Sequence, residues 1–228
     1  MDSSPFAPDE PMAELHAHLG GSVPTYVMWE SAHAQGIALP TRDYWEFDRM
    51  VSISDPRGVD GLDALDKVYH VTELIQSSPL AVERCVHGMI GGGYRSQRIT
   101  TCEVRFNPMK RNRGGERDLD HIILAAGDPE LIALLASTGI VLEVCPTSNL
   151  LTGALADAGE VRAVFRTFLE AGVRVTVSTD GPEMMRTHLR DEFAFLCSIG
   201  AMSADEARAA NALAHEVSFV ATKEVARI

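Results

Sequence analysis

The stretch Ala13-Glu14-Leu15-His16-Ala17-His18-Leu19-Gly20-Gly21 sets two histidines one residue apart at the end of a short apolar run. Read as a strand from Met12 to His18, its side chains alternate between faces, so His16 and His18 project to the same side and their imidazoles can share one cation. Gly20 and Gly21 then end the strand and open the space beside it. By itself a His-x-His strand serves a metal centre and a pair of solvated histidines equally well, so its neighbours must decide.

A second strand end lies far along the chain. Val173-Arg174-Val175-Thr176-Val177-Ser178-Thr179-Asp180-Gly181-Pro182 is a β-branched run that stops at an aspartate and a Gly-Pro turn. Taken alone, Asp180 reads as a turn residue or helix cap. In parallel α/β architectures, however, chemistry gathers at the carboxyl ends of strands, and His16, His18 and Asp180 all stand at such ends. Imidazole with carboxylate is a ligand set for zinc or a similar divalent ion.

Four pieces now occur in order: Glu14-Leu15-His16-Ala17-His18-Leu19, Thr101-Cys102-Glu103-Val104-Arg105-Phe106-Asn107-Pro108, Glu143-Val144-Cys145-Pro146-Thr147-Ser148-Asn149-Leu150 followed by Thr152-Gly153-Ala154, and Ser178-Thr179-Asp180-Gly181-Pro182. Together they resemble the adenosine deaminase family of metal-dependent amidohydrolases. The resemblance implies a (β/α)8 barrel, one zinc ion per chain, and hydrolytic replacement of an exocyclic purine amine by oxygen. By motif match it implies His16, His18 and Asp180 as zinc ligands, and it places Ser148 and Asn149 where the family lines its substrate pocket. Gly20 and Gly181 stand where classical members carry aspartates, one near the sugar and one bonded to a purine ring nitrogen. A buried polar contact contributes roughly 1–3 kcal/mol of discrimination, so these two glycines shift the implied substrate from adenosine toward other aminopurines, among them adenine and aminodeoxyfutalosine.

The family also carries a His-x-Gly-Glu motif, which supplies a further zinc histidine and the proton-shuttling glutamate, and a Gly-His pair that orients water. Both belong between the Val-Arg-Phe strand and the Val-Cys-Pro-Thr-Ser strand. Here that interval, Met109 to Val141, holds a single histidine, His121, and no His-x-Gly-Glu occurs anywhere in the chain. The expectation is one domain over residues 1–228 with central strand-helix units missing near Ala126-Gly127, and no residue assigned as catalytic acid or base. Such groups typically contribute about 10²- to 10⁴-fold each. The chain therefore reads as a zinc-dependent aminopurine deaminase by descent with little turnover. The alternative is a non-catalytic binding or regulatory protein derived from the same barrel.

Length agrees with this shortening, since a TIM barrel typically takes about 250 residues and Leu39 to Asp60 forms an excursion after the first strand. Strands are expected at Ala13 to His18, Thr100 to Phe106, Val141 to Cys145 and Arg174 to Thr179. Three- and four-residue apolar spacing predicts helices over Thr25 to Gln35, Leu62 to Gln76, Pro79 to Gly91, Pro129 to Ser137, Val161 to Ala171 and Leu189 to Ile199. Ser203-Ala204-Asp205-Glu206 is a capping box opening a last helix. The fold class is thus α/β, an incomplete or distorted TIM-type barrel with a helical excursion. Barrel closure ties strand number to tilt and shear, so a gap is expected beside the Thr100 to Phe106 strand, or a homo-oligomer that covers the open edge.

The 228 residues are 46% hydrophobic and 23% charged, ordinary for a soluble single domain with a core. A formal charge of −12 argues against nucleic acid or an anionic membrane, which leaves a free small-molecule aminopurine as partner. Met1 to Pro11 is polar and proline-rich, without a secretory apolar core, and no run is long enough to span a bilayer, so the cytoplasm is expected. Cys85, Cys102, Cys145 and Cys197 have no zinc-ribbon spacing and read as reduced thiols. Arg105 is read as structural support. Lys110, Arg111, Arg113 and Arg117 read as a solvated basic loop, His70 and His215 as surface or packing residues, and His188 as near enough to Asp180 in sequence to approach the site.

Overall fold

Alternation of small and apolar residues with Glu14, His16 and His18 builds β1 (Met12–His18), which has the predicted bounds. In the computed structural model, which describes residues 4–53, 62–76, 79–105 and 129–220, β1 pairs in parallel with β2 (Ile99–Arg105), Glu14 opposite Cys102 and His18 opposite Arg105. A second parallel pair joins β3 (Val141–Val144) to β4 (Arg174–Val177), Val144 opposite Val177. The two pairs meet just beyond β4, where Asp180 bridges Ala17. The His18 amide donates to the Asp180 carbonyl at 2.6 Å, and the Asp180 amide to the His16 carbonyl at 2.8 Å. The resulting spatial order is β2-β1-β4-β3. Among the described residues neither β2 nor β3 has a second strand neighbour, in keeping with the expected incomplete or distorted barrel.

Helices cover the ribbon. Between β1 and β2 run α1 (Thr25–Ala34), α2 (Tyr44–Met50), α3 (Leu62–Ile75) and α4 (Pro79–Gln97). The first, third and fourth were predicted. The second was not, because the charged segment from Leu39 reads as turns, yet Asp43 caps it by accepting from the Glu46 amide at 2.7 Å. The α4 helix runs six residues past its expected end at Gly91. Gly88 serves packing on α1: a Cβ there would lie 3.2 Å from Val27 Cγ2, so a larger residue would push the two helices apart.

After β2 come α5 (Pro129–Thr138), β3, α6 (Pro146–Leu151), α7 (Ala158–Glu170), β4, α8 (Pro182–Met185), α9 (Leu189–Ser198) and α10 (Ala204–Val217). In α7, Val161, Val164, Phe165 and Phe168 follow helical spacing and are buried against Leu142, Val175, Val177, Phe193 and Leu196. The predicted Ser203 capping box is present, Ser203 Oγ accepting from the Glu206 amide and Glu206 from the Ser203 amide. From α10, Asn211 accepts from the Ala13 amide and donates to the Pro11 carbonyl, each at 3.0 Å, which locks the start of β1. A second core cluster, including Leu19, Met28, Phe47, Ile75, Met89 and Met184, packs the excursion against the turn after β4. Phe106, the basic segment from Lys110 to Arg117, His121 and the Ala126-Gly127 junction lie outside the described residues.

Candidate metal centre

His16 and His18 leave the same face of β1 at its carboxyl end, and the bridge to Ala17 carries Asp180 beside them. One donor atom from each of the three lies within 4.8 Å of the others. His16 Nε2 is 3.3 Å from His18 Nε2, and His18 Nε2 is 3.6 Å from Asp180 Oδ1. Ligands about 2.0–2.1 Å from a tetrahedral zinc stand about 3.3 Å apart along each edge, so the spacing and the nitrogen-oxygen donor set fit that ion. The side chains are partly open to solvent, from 13% exposed at Asp180 to 34% at His18.

Asp180 holds a left-handed backbone, with φ 65°, that L-residues other than asparagine and aspartate seldom adopt. The two amide-carbonyl bonds to β1 impose it, and it turns the carboxylate toward the histidines. Ser148, expected as a pocket residue, is buried and donates to Asp180 Oδ2 at 2.6 Å. It follows Pro146 at the start of α6, a helix not anticipated although Pro146 marks its first turn. Asn149 is half-buried in α6, its amide bonded to the Cys145 carbonyl at 2.9 Å.

The two glycines expected near substrate are close-approach positions. A Cβ on Gly20 would sit 2.9 Å from Tyr69 Cδ1, and one on Gly181 would sit 3.1 Å from Met184 Cε and 3.3 Å from Gly21 Cα. Tyr69, from α3, occupies the room that Gly20 leaves, with its ring edge-on to His18 and its hydroxyl 3.5 Å from Asp180 Oδ1. No pattern in the sequence marked Tyr69.

Two carboxylates also escaped the sequence reading. Glu14 shares the β1 face of the histidines and accepts from the Thr179 hydroxyl at 2.6 Å, the Thr179 amide at 3.1 Å and the His16 amide at 3.0 Å. Complete burial pushes it up to about 7, against hydrogen bonds that favour the anion. An acid on the same alternating face of an apolar strand is the signal that could have found it. Glu143, in β3, lies 3.2 Å from His16 Nδ1 through Oε2 and pairs with Arg105 at the end of β2. Partial burial opposes its charge, but the His16 hydrogen bond and the Arg105 guanidinium outweigh this and hold it below its ordinary range.

His188 caps the start of α9 and faces a cavity of about 250 Å3, lined also by Glu14, Met89, Ile99 and Glu183, that does not include His16, His18 or Asp180. His70 is exposed, and His215 Nδ1 bonds the Thr101 hydroxyl at 3.1 Å, as packing histidines do. Among the described residues no cysteine forms a disulfide.

A parallel α/β ribbon in barrel order, with imidazoles and a carboxylate converging at its carboxyl end, is the architecture of a TIM-type barrel protein. Residues 111–228, just over half of the chain, match the family model for adenosine deaminase. This chain belongs to the adenosine deaminase family. It is 44% identical over 80 residues to the aminodeoxyfutalosine deaminase of Acidothermus cellulolyticus, 35% of this chain and 22% of that protein. It is 37% identical over 102 residues to the adenine deaminase of Rhizobium leguminosarum, 45% and 31% of the respective chains. The matched stretch thus spans between a fifth and a third of these relatives. In fold it resembles the adenine deaminase of Arthrobacter aurescens, with TM-score 0.63 and 17% identity over 95% of both chains. It also resembles a Burkholderia ambifaria amidohydrolase solved with bound zinc, with TM-score 0.55 and 16% identity over 92% of this chain and 86% of that one.

Proposed function

We propose that this chain carries the metal-holding part of a hydrolytic aminopurine deaminase, binding one zinc ion through His16, His18 and Asp180 and acting on an aminopurine nucleoside or base. The observation that carries the reading is the convergence of those three donor groups within 4.8 Å at the carboxyl mouth of a parallel ribbon. A bound zinc supplies Lewis-acid activation of water near neutral pH. The chain's own residues supply orientation. Ser148 fixes the carboxylate plane of Asp180, and Tyr69 closes one flank of the centre. Relatives named as aminodeoxyfutalosine, adenine and adenosine deaminases support an aminopurine substrate, and glycine at positions 20 and 181 favours one other than adenosine. Among the described residues no helix is long and apolar enough to cross a membrane. With the acidic charge and cysteines without disulfides among the described residues, this favours a small-molecule partner and a cytoplasmic setting.

A second reading, binding without hydrolysis, is favoured by one specific observation: the sequence has no His-x-Gly-Glu to supply the proton-transferring glutamate. Ammonia release from a panel of aminopurines, measured with zinc-loaded protein, separates the two. The deaminase reading expects slow turnover that disappears in His16→Ala. Aminopurine binding with no ammonia release, or release that survives His16→Ala, contradicts it, and the first of these outcomes establishes the binding protein.

A further inference from the structure

We infer that Glu143 and Arg105 are positioning residues that hold His16 in its Nδ1–H tautomer and thereby present Nε2 as a donor atom. The inference rests on the metal-holding reading for its purpose, though its geometry does not depend on it. Glu143 Oε2 lies 3.2 Å from His16 Nδ1. A neutral imidazole carries one N–H, and an ionised carboxylate can only accept. The proton therefore sits on Nδ1, and the lone pair sits on Nε2, the atom that faces His18 Nε2 at 3.3 Å. In the opposite tautomer, two acceptors would face each other at Nδ1 and Glu143, and the ring would turn away.

The carboxylate is itself fixed from the far side of the ribbon. Among the described residues β2 and β3 are the outermost strands in the order β2-β1-β4-β3, yet Arg105 from β2 reaches Glu143 on β3. One ion pair thus joins β2 to β3 across the mouth that holds the histidines. Arg105 pairs with the same carboxylate that meets His16 Nδ1 and so fixes it in place against the ring. Glu143 Oε2 accepts from the permanently charged, planar Arg105 guanidinium as well as facing His16 Nδ1, so one oxygen is held from both sides. Partners of this kind, on the nitrogen remote from the metal, typically change metal affinity by about 10- to 100-fold.

The test uses the full chain labelled with 15N-histidine, freed of metal at pH 8, with long-range proton-nitrogen correlation spectra assigning each ring tautomer. His16→Ala identifies the His16 signals. Wild type and Glu143→Gln, whose amide oxygen still accepts, are expected to show His16 as Nδ1–H. Glu143→Met is expected to move it toward Nε2–H, and Arg105→Met to do so in part. Zinc titration of the same proteins should show affinity lowered by about 10- to 100-fold in Glu143→Met and largely kept in Glu143→Gln. A wild-type His16 carrying its proton on Nε2 overturns the inference, and so does a tautomer unchanged in both Glu143→Met and Arg105→Met. Should Glu143→Met fail to fold, the wild-type spectrum and the surface variant Arg105→Met still decide it. Failure of the wild type to bind zinc, with the tautomer effects intact, would instead refute the metal-holding reading and leave the positioning role standing.

Discussion

The Ser148 hydroxyl donates to Asp180 Oδ2 at 2.6 Å, so a buried residue of α6 sets the carboxylate that faces His18. Removing that donor frees the carboxylate to rotate and leaves one oxygen without a strong partner. Ser148→Ala is expected to remain folded and to lose about 10-fold or more in zinc affinity. Calorimetric titration checks this, and an unchanged affinity would show that the backbone clamp alone positions Asp180.

Burial pushes Glu192 up to about 7 against hydrogen bonds from Thr147 and Thr187, with the negative charge of Glu14 adding to the rise. An acid raised in the folded state contributes its stability fully below the unfolded value of about 4.5, and that contribution is lost as pH rises to about 7. The displacement corresponds to about 3 kcal/mol. Glu192→Gln, neutral at every pH, should therefore flatten the decline in unfolding free energy between pH 5 and pH 8 and be the more stable protein at pH 8. Denaturant melts across that range measure it. A wild-type stability that rises over the same interval would contradict the assignment.

Gly20 and Tyr69 are in direct steric contact, so a methyl group at position 20 must displace the ring. Gly20→Ala should cost about 1–3 kcal/mol, as overpacked sites do. The cost should shrink when the same change is made in Tyr69→Ala, because the clash partner is gone. Equal costs in both backgrounds would place the strain elsewhere.

The histidine strand was legible because its evidence is local: alternation along Met12 to His18 set both the bounds of β1 and the shared face of His16 and His18. Asp180 was legible as a strand end, but its left-handed backbone was not, since that conformation comes from hydrogen bonds to His16 and His18 more than 160 residues away. Glu143 and Tyr69 were hidden for the same reason. Nothing near either in sequence shows that a ring or a guanidinium from another element meets it. Where the helix boundaries differ, tertiary packing overrode propensity. The α4 helix continues through three consecutive glycines, Gly91 to Gly93, against their weak helix propensity. By contrast, the α2 and α8 signals were present, as an Asp43 cap with Glu46 at the third position and as Pro182 in a first turn.

Zinc stoichiometry tests the central claim most directly. Protein stripped with chelator and titrated with zinc is expected to bind one ion per chain in the wild type, with binding lost in His16→Ala, His18→Ala and Asp180→Ala while their circular dichroism stays native. A wild type that binds no zinc, or three variants that each bind it as the wild type does, would contradict a metal centre at the carboxyl mouth of this ribbon.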